Sequence, residues 1–242
     1  MSALEVYSRT DVGKVRPHNE DGVLVAIVGD CHILAVADGL GGHAAGEVAS
    51  RVALIELEQY LAANLTPDNV RVALADAIAK ANREIHMLSE ENPSYAGMGS
   101  TLVAALVCNG RAVVANVGDS RAYLIDGGID RITKDHSLVQ ELVDRSLITK
   151  EEAFDHPQKN IVTRTLGLDE EVSADLYELE LGSGTLLLCS DGLTDCVRDE
   201  AIHKAITTAD SLDTACGDLV DMANAQGGPD NITLILAREG MR

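Results

Sequence analysis

Six strand-length stretches of this chain are almost wholly aliphatic, and most stop abruptly at Gly, Asp or Asn: residues 23–28, 33–37, 102–107, 112–117, 185–189 and 232–237. Runs that are continuously apolar, rather than alternating, belong to strands covered on both faces, by a second sheet on one side and helices on the other. Asn109-Gly110 between two of the runs, and Asp126-Gly127-Gly128 a little later, are hairpin signals, so neighbouring strands pair antiparallel. Residues 44–63 have helical spacing, and Thr66-Pro67 reads as the capped start of a second helix reaching about Leu88. The order of elements predicts an α+β fold, a four-layer α-β-β-α sandwich of two antiparallel sheets flanked by helices. One domain over residues 1–242 is expected, with a polar helical flap at about 136–165 that contains a capping box at Thr149-Lys150-Glu151-Glu152.

Hydrophobic residues make up 46% of the chain, with no Trp and only Phe154 as phenylalanine, so the core is built from Val, Leu, Ile and Ala. A formal net charge of -20 without a Lys/Arg cluster argues against nucleic acid and anionic membrane surfaces as partners. Cys31, Cys108, Cys189, Cys196 and Cys216 are odd in number, widely spaced and free of CxxC pairs; they read as small buried hydrophobes in a reducing compartment. The N-terminus carries no signal-like segment, and no apolar run is long enough to span a bilayer, so a cytoplasmic protein is expected, and a monomer is taken as the default.

Acidic residues mark the strand ends. Glu20-Asp21 precedes 23–28, Asp38 follows 33–37, Asp119 follows 112–117, Asp191 follows 185–189, and Asp230 precedes 232–237. In antiparallel sheets the start of one strand and the end of its neighbour share an edge, so acids distant in sequence can converge there. Asp-Gly is also ordinary turn chemistry, and Asp126-Gly127 is read that way. Asp21-Gly22, Asp38-Gly39 and Asp191-Gly192 differ because each abuts an apolar strand with no short hairpin across it. Gathered carboxylates oppose folding unless cations neutralise them, and an all-oxygen donor set selects magnesium or manganese. Two such ions about 3.5–4 Å apart activate water and clamp a phosphoryl group. Arg16, four residues before Glu20, suits bidentate phosphate binding, although a surface salt bridge is the plain alternative. His43, after Gly39-Leu40-Gly41-Gly42, is a candidate proton donor, set against the ordinary case of an exposed or structural histidine.

Taken in order, these residues resemble the PP2C-type metal-dependent protein phosphatases in their compact bacterial form. The resemblance rests on Asp11-x-Gly13-x-x-Arg16-x-x-Asn19-Glu20-Asp21, Val36-Ala37-Asp38-Gly39-Leu40-Gly41-Gly42-His43, Gly97-Met98-Gly99-Ser100-Thr101, Val117-Gly118-Asp119-Ser120-Arg121, Asp135-His136-Ser137, Asn160-Ile161-Val162-Thr163-Arg164, Cys189-Ser190-Asp191-Gly192 and Gly228-Pro229-Asp230-Asn231. It implies hydrolysis of phosphoserine and phosphothreonine in proteins by a metal-bridged hydroxide, with two or three Mg2+ or Mn2+ ions. Asp38 would bridge two ions, with the Gly39 carbonyl, Asp21, Asp191 and Asp230 completing the set and Glu20 acting through water. Asp119 with Asp191 would hold the third. Arg16 would take the substrate phosphate and His43 would be the general acid, although Leu40 stands where relatives place histidine directly after Asp-Gly. The implied partners are phosphorylated proteins made by a serine/threonine kinase.

Two other readings are weighed. A phosphoprotein-binding module could keep the fold and metals without turnover. Gly39-Leu40-Gly41-Gly42-His43-Ala44 also fits a dinucleotide-binding fingerprint, but Asp38 would repel a pyrophosphate and the hairpin signals oppose parallel βαβ units. No cysteine is followed six positions later by arginine, which excludes the cysteine-phosphatase signature.

Overall fold

Aliphatic runs without charges suit strands buried on both faces, and all but the first of the six, residues 23–28 on a sheet edge, occupy inner strands of the computed structural model, which describes residues 4–42 and 44–240. The elements run β1 (Leu4–Asp11), β2 (Asp21–Val28), β3 (Cys31–Leu40), α1 (Ala44–Asn64), α2 (Val70–Glu91), β4 (Gly99–Ser100), β5 (Leu102–Cys108), β6 (Arg111–Val117), β7 (Arg121–Ile125) and β8 (Ile129–Arg131). They continue with α3 (Leu138–Asp144), α4 (Lys150–Phe154), β9 (Asp175–Glu180), β10 (Thr185–Cys189), α5 (Asp191–Thr194), α6 (Asp199–Thr208), α7 (Leu212–Ala225) and β11 (Ile232–Glu239). One sheet has the order β1-β11-β10-β7-β8; the other has β2-β3-β5-β6-β9, with the short β4 beside β3.

Strand periodicity sorts the side chains into three layers of core. Leu34 and Val36 of β3, Val103, Ala105 and Val107 of β5, Leu186 and Leu188 of β10, and Ile235 and Ala237 of β11 meet between the sheets. Their alternates Ile33, Ala35, Ala37, Leu102, Ala104 and Leu106 face α1 and α2. Leu187, Cys189, Ile232, Leu234 and Leu236 face the α6–α7 side. Helix α1 lies close on the sheet because its buried stripe, Ala45, Ala49, Ala53, Leu57 and Leu61, repeats every four residues and begins with small side chains. The result is the α-β-β-α sandwich expected from the sequence.

Two readings, the start of the second helix and the unpaired state of two cysteines, need correction. The second helix begins at Val70, not at Thr66-Pro67: the Asn69 carboxamide oxygen accepts from the Thr66 amide at 2.8 Å, which closes a turn there. Strands β1, β7, β8 and β9 were not resolved as apolar runs; β1, β8 and β9 lie at sheet edges and mix polar with apolar residues. Cys31 and Cys108 are not free thiols but a disulfide, with Cα atoms 4.4 Å apart. They are register partners of β3 and β5, and that separation is the close, non-hydrogen-bonded spacing of an antiparallel ladder. Cys189 and Cys216 are buried free thiols, as expected, and Cys196 is half-buried and free. The glycine-rich segment after β3 sits in no parallel βαβ unit, because both of that strand's sheet neighbours, β2 and β5, run antiparallel to it, in agreement with the hairpin signals that opposed a dinucleotide site. Among the described residues no helix is long and apolar enough to cross a membrane.

Candidate active site

Each acidic position singled out in the sequence lies at a strand end on the same rim. β2 opens on Asp21, whose cross-strand partner is Asp38, near the end of β3. Asp119 lies in the turn from β6 to β7, Asp191 opens α5 directly after β10, and Asp230 precedes β11. Asp38 feels the charges of Asp21, Asp191, Asp119 and Asp230, in that order after the effect of burial, and is held well above the usual carboxylate range. Asp191 is raised in the same way, by burial first and then by Asp119, Asp195, Asp230 and Asp21. Burial pushes Asp21 up to about 6. Asp119 is pushed up to about 7 by burial and then by Asp135. Segments from five parts of the chain thus meet in one electrostatically coupled cluster.

The backbone around these acids is tightly held. Asp38 N–H donates to Thr101 Oγ1 at 3.1 Å, and the Asp38 carbonyl accepts from Thr101 N–H at 2.8 Å and from Ser100 Oγ at 3.0 Å. Ser190 Oγ donates to Asp21 Oδ2 at 2.8 Å. The Glu20 carbonyl accepts from Gly39 N–H at 3.2 Å and from Ser50 Oγ at 2.6 Å. Gly39 and Gly46 face one another so closely that a Cβ on Gly39 would lie 2.1 Å from the Gly46 carbonyl oxygen. A Cβ on Gly46 would meet Glu20 Oε2 at 2.0 Å. Only glycine fits at either position, and the Glu20 carboxylate fills the space.

These residues suit hard divalent cations. Asp21 Oδ1 and Asp191 Oδ1 are buried without a hydrogen-bond partner, which is costly for a carboxylate unless a cation takes the lone pairs. The donors are all oxygen, the choice of magnesium and manganese. Among the described residues no three His, Cys, Asp or Glu side chains close on one point as a ready-made cage; ions that keep several waters do not require one.

Arg16, on the loop between β1 and β2, places Nη2 2.6 Å from Asp230 Oδ2. That hydrogen bond, ahead of the Coulomb effects of Asp230, Glu20 and Asp38, raises its pKa. Arg16 therefore stands at the cluster, half-exposed, with its guanidinium anchored on an acid of the set. His43 lies outside the described residues. Beside Asp119 and Asp191 a cavity of about 290 Å³ opens between α3–α4 and the α5–α6 turn. Its walls are tied across by Arg198 over the Phe154 ring, 4.0 Å from the centroid, and by Lys159 to Asp195 at 2.9 Å.

Sequence reasoning did not single out the residues that brace the acids: Ser50, Ser190, Thr101 and Asn231. Ser190 and Asn231 directly adjoin Asp191 and Asp230, which is the local signal available for them.

The family model described as Protein phosphatase 2C matches residues 14–227. The serine/threonine phosphatase stp of Listeria monocytogenes serotype 4b (strain F2365) is 41% identical over 239 residues, covering 96% of this chain and 95% of the relative. The crystal structure of the serine/threonine phosphatase Stp1 from Staphylococcus aureus superposes with a TM-score of 0.95 at 40% identity, covering 99% of this chain and 96% of that one. A second similar structure, with a TM-score of 0.87 at 38% identity and 97% of each chain covered, is the catalytic domain of the serine threonine protein phosphatase PstP in complex with 2 manganese ions.

Proposed function

The chain belongs to the protein phosphatase 2C family, and from that premise we propose that it hydrolyses phosphoserine and phosphothreonine in proteins with the help of two divalent magnesium or manganese ions. The observation that carries the reading is the convergence of Asp21, Asp38, Asp119, Asp191 and Asp230 on one rim, where burial and neighbouring carboxylates hold Asp21, Asp38, Asp119 and Asp191 above their ordinary range. In this reading Asp38, Asp21, Asp191, Asp230 and the Gly39 carbonyl would hold the two ions. Glu20 would act on them through water, and Asp119 with Asp191 would serve a third. Bound there, the ions supply Lewis acidity, activating water and neutralising charge on the phosphoryl oxygens.

The protein's own share is orientation and charge. Locked main-chain bonds at Asp38 and the Ser190 bond to Asp21 keep the carboxylates from relaxing apart, so little reorganisation accompanies reaction. The Arg16 guanidinium, held by Asp230, turns its remaining donors to the substrate phosphate, positioning it and offsetting charge on its equatorial oxygens. His43 is assigned the proton delivered to the leaving alkoxide. The substrates are phosphoproteins produced by a serine/threonine kinase, handled by one domain spanning residues 1–242 and working in the cytoplasm.

Hydrolysis of para-nitrophenyl phosphate and of a phosphothreonine peptide, with and without manganese, tests this for the wild type, Asp38→Asn and Asp191→Asn. Metal-dependent turnover that falls at least about a hundredfold in both variants is expected. Equal rates in all three proteins would remove the carboxylates from the chemistry, and peptide binding without turnover would leave a phosphoprotein-capture module instead.

A further inference from the structure

Asn231 sits between Asp230 and β11 and is 4% exposed. Its carboxamide makes three hydrogen bonds, the full use of one acceptor and two donors with one partner each. Oδ1 accepts from Glu20 N–H at 2.8 Å, and Nδ2 donates to the carbonyls of Val12 at 2.9 Å and His18 at 3.0 Å. These three partners lie on the β1–β2 loop that carries Arg16 and delivers Glu20 and Asp21. The Asn231 main chain touches the other side of the site: its N–H donates to Asp230 Oδ1 at 2.8 Å. Its carbonyl oxygen stands so near Gly192 that a Cβ there would come within 2.0 Å, which seats Asp191 and α5 against it.

A buried amide with satisfied hydrogen bonds is common in any core. Asn231 differs because each of its partners belongs to, or adjoins, a segment bearing a candidate ion ligand or the phosphate-binding arginine. Three segments remote in sequence, 12–20, 190–192 and 230, are held in register by one side chain and its peptide unit. Groups that orient metal ligands without touching the metal change its affinity by about 10–100-fold when removed.

We infer that Asn231 is a positioning residue for the divalent-ion site, clamping the β1–β2 loop against Asp230 and Asp191 so that the ligands stand in place before an ion arrives. The inference rests on the metal-dependent reading above and deepens it. Its distinctive consequence concerns sign. Asn231→Asp keeps the shape but turns both donors into acceptors facing two carbonyls, while adding a negative charge beside Asp230. Charge alone would tighten binding of a cation; loss of the clamp loosens it.

Titration calorimetry of manganese into the chelator-stripped, full-length protein separates the two. Asn231→Asp is expected to raise the manganese Kd at least about tenfold over wild type, and a Kd closer than that, or tighter, overturns the clamp. Ser211→Ala removes the cap of α7, whose hydroxyl accepts from Thr214 N–H at 3.1 Å. It should lower Tm without moving the manganese Kd, which separates positioning from general destabilisation; a Kd that rises with it equally overturns the clamp. A wild type that binds no manganese would sink the metal-dependent reading and this inference together, whereas a binding wild type with an unaltered variant sinks the inference alone. If Asn231→Asp does not fold, hydrogen exchange on the unmodified, metal-free protein decides. The Glu20 amide should exchange at least about a hundredfold more slowly than that of Val15 on the same loop, and equal exchange refutes the clamp.

Discussion

Asp21 and Asp38 stand directly opposite one another, as register partners at the open end of the antiparallel β2–β3 pair. Like charges in that relationship destabilise a sheet, and both acids are drawn out of water as well. The rim is therefore strained electrostatically as the chain folds, and a cation relieves it. Stability, proton uptake and metal affinity become one linked quantity.

The first prediction concerns that linkage in chelator. The folded pKa is about 6 for Asp21 and about 7 for Asp119, whereas an unfolded aspartate titrates near 3.9. Between those values the folded chain keeps protons that the unfolded chain has lost. The stabilising share of these groups is thus complete below about pH 4 and is lost as pH rises through 6 and 7. Thermal midpoints of wild type and Asp119→Asn from pH 4 to 8, in chelator, should coincide near pH 4, diverge steadily as pH rises toward about 7 and keep a constant gap above it, the variant being the more stable there. Parallel curves would show that Asp119 carries no such shift.

Arg16 gives the second. Its contact with Asp230 joins a half-exposed guanidinium to a carboxylate at 2.6 Å, and exposed pairs contribute about 0–1 kcal/mol. Arg16→Ala should leave Tm nearly unchanged yet reduce kcat/KM for para-nitrophenyl phosphate by about 10–100-fold. Arg16→Lys should recover little of it, because an ammonium cannot grip two oxygens in a fork. Steady-state kinetics at saturating manganese measure both, and full activity in the lysine variant would mean that a point charge suffices.

The acids were legible because each interrupts an aliphatic strand: Asp38 and Asp191 follow runs that have no other reason to stop. Asn109-Gly110 was legible too, and the structure gives Asn109 φ 53° and Gly110 φ 79°, values that such a turn demands. Thr149 and Glu152 form the full capping box that their spacing announced. The pairing of Cys31 with Cys108 was not, since it depends on β3 lying beside β5, a tertiary fact without local signature. The same holds for Asn231, whose importance comes from partners up to 219 residues away. Edge strands β1 and β9 escaped because one solvated side dilutes their apolar pattern. Thr66-Pro67 misled because a turn and a helix start favour the same residues.

The disulfide yields the third prediction. It closes a loop across 77 residues of separation, and removing such a link typically costs about 2–4 kcal/mol. Cys31 lies seven residues before Asp38 on one strand, roughly 23 Å away at the usual rise. Cys31→Ser with Cys108→Ser should lower Tm and leave kcat and KM unchanged. Denatured, unreduced wild type should show three reactive thiols, those of Cys189, Cys196 and Cys216. A count of five would mean that the pair is not joined.

The fourth concerns Phe154, the chain's lone phenylalanine, which anchors α4. Arg198 lies over its ring at 4.0 Å and Lys159 at 5.6 Å, while Lys159 also bonds Asp195. The ring thus gathers cations from both walls of the cavity beside Asp119 and Asp191. Phe154→Leu keeps an apolar side chain but has no π face, so the loss should be confined to the cation–π share, about 0.5–1 kcal/mol at such exposure. That converts to roughly two- to fivefold more frequent opening of the segment around α4. Limited proteolysis or hydrogen exchange of residues 145–165 should accelerate by that factor, with the global Tm scarcely altered, because the three core layers do not include Phe154. Arg198→Lys should fall between wild type and the leucine variant, since an ammonium retains charge but not the stacked plane. If the leucine variant exchanges at the wild-type rate, the segment is held by its ion pairs and not by the ring.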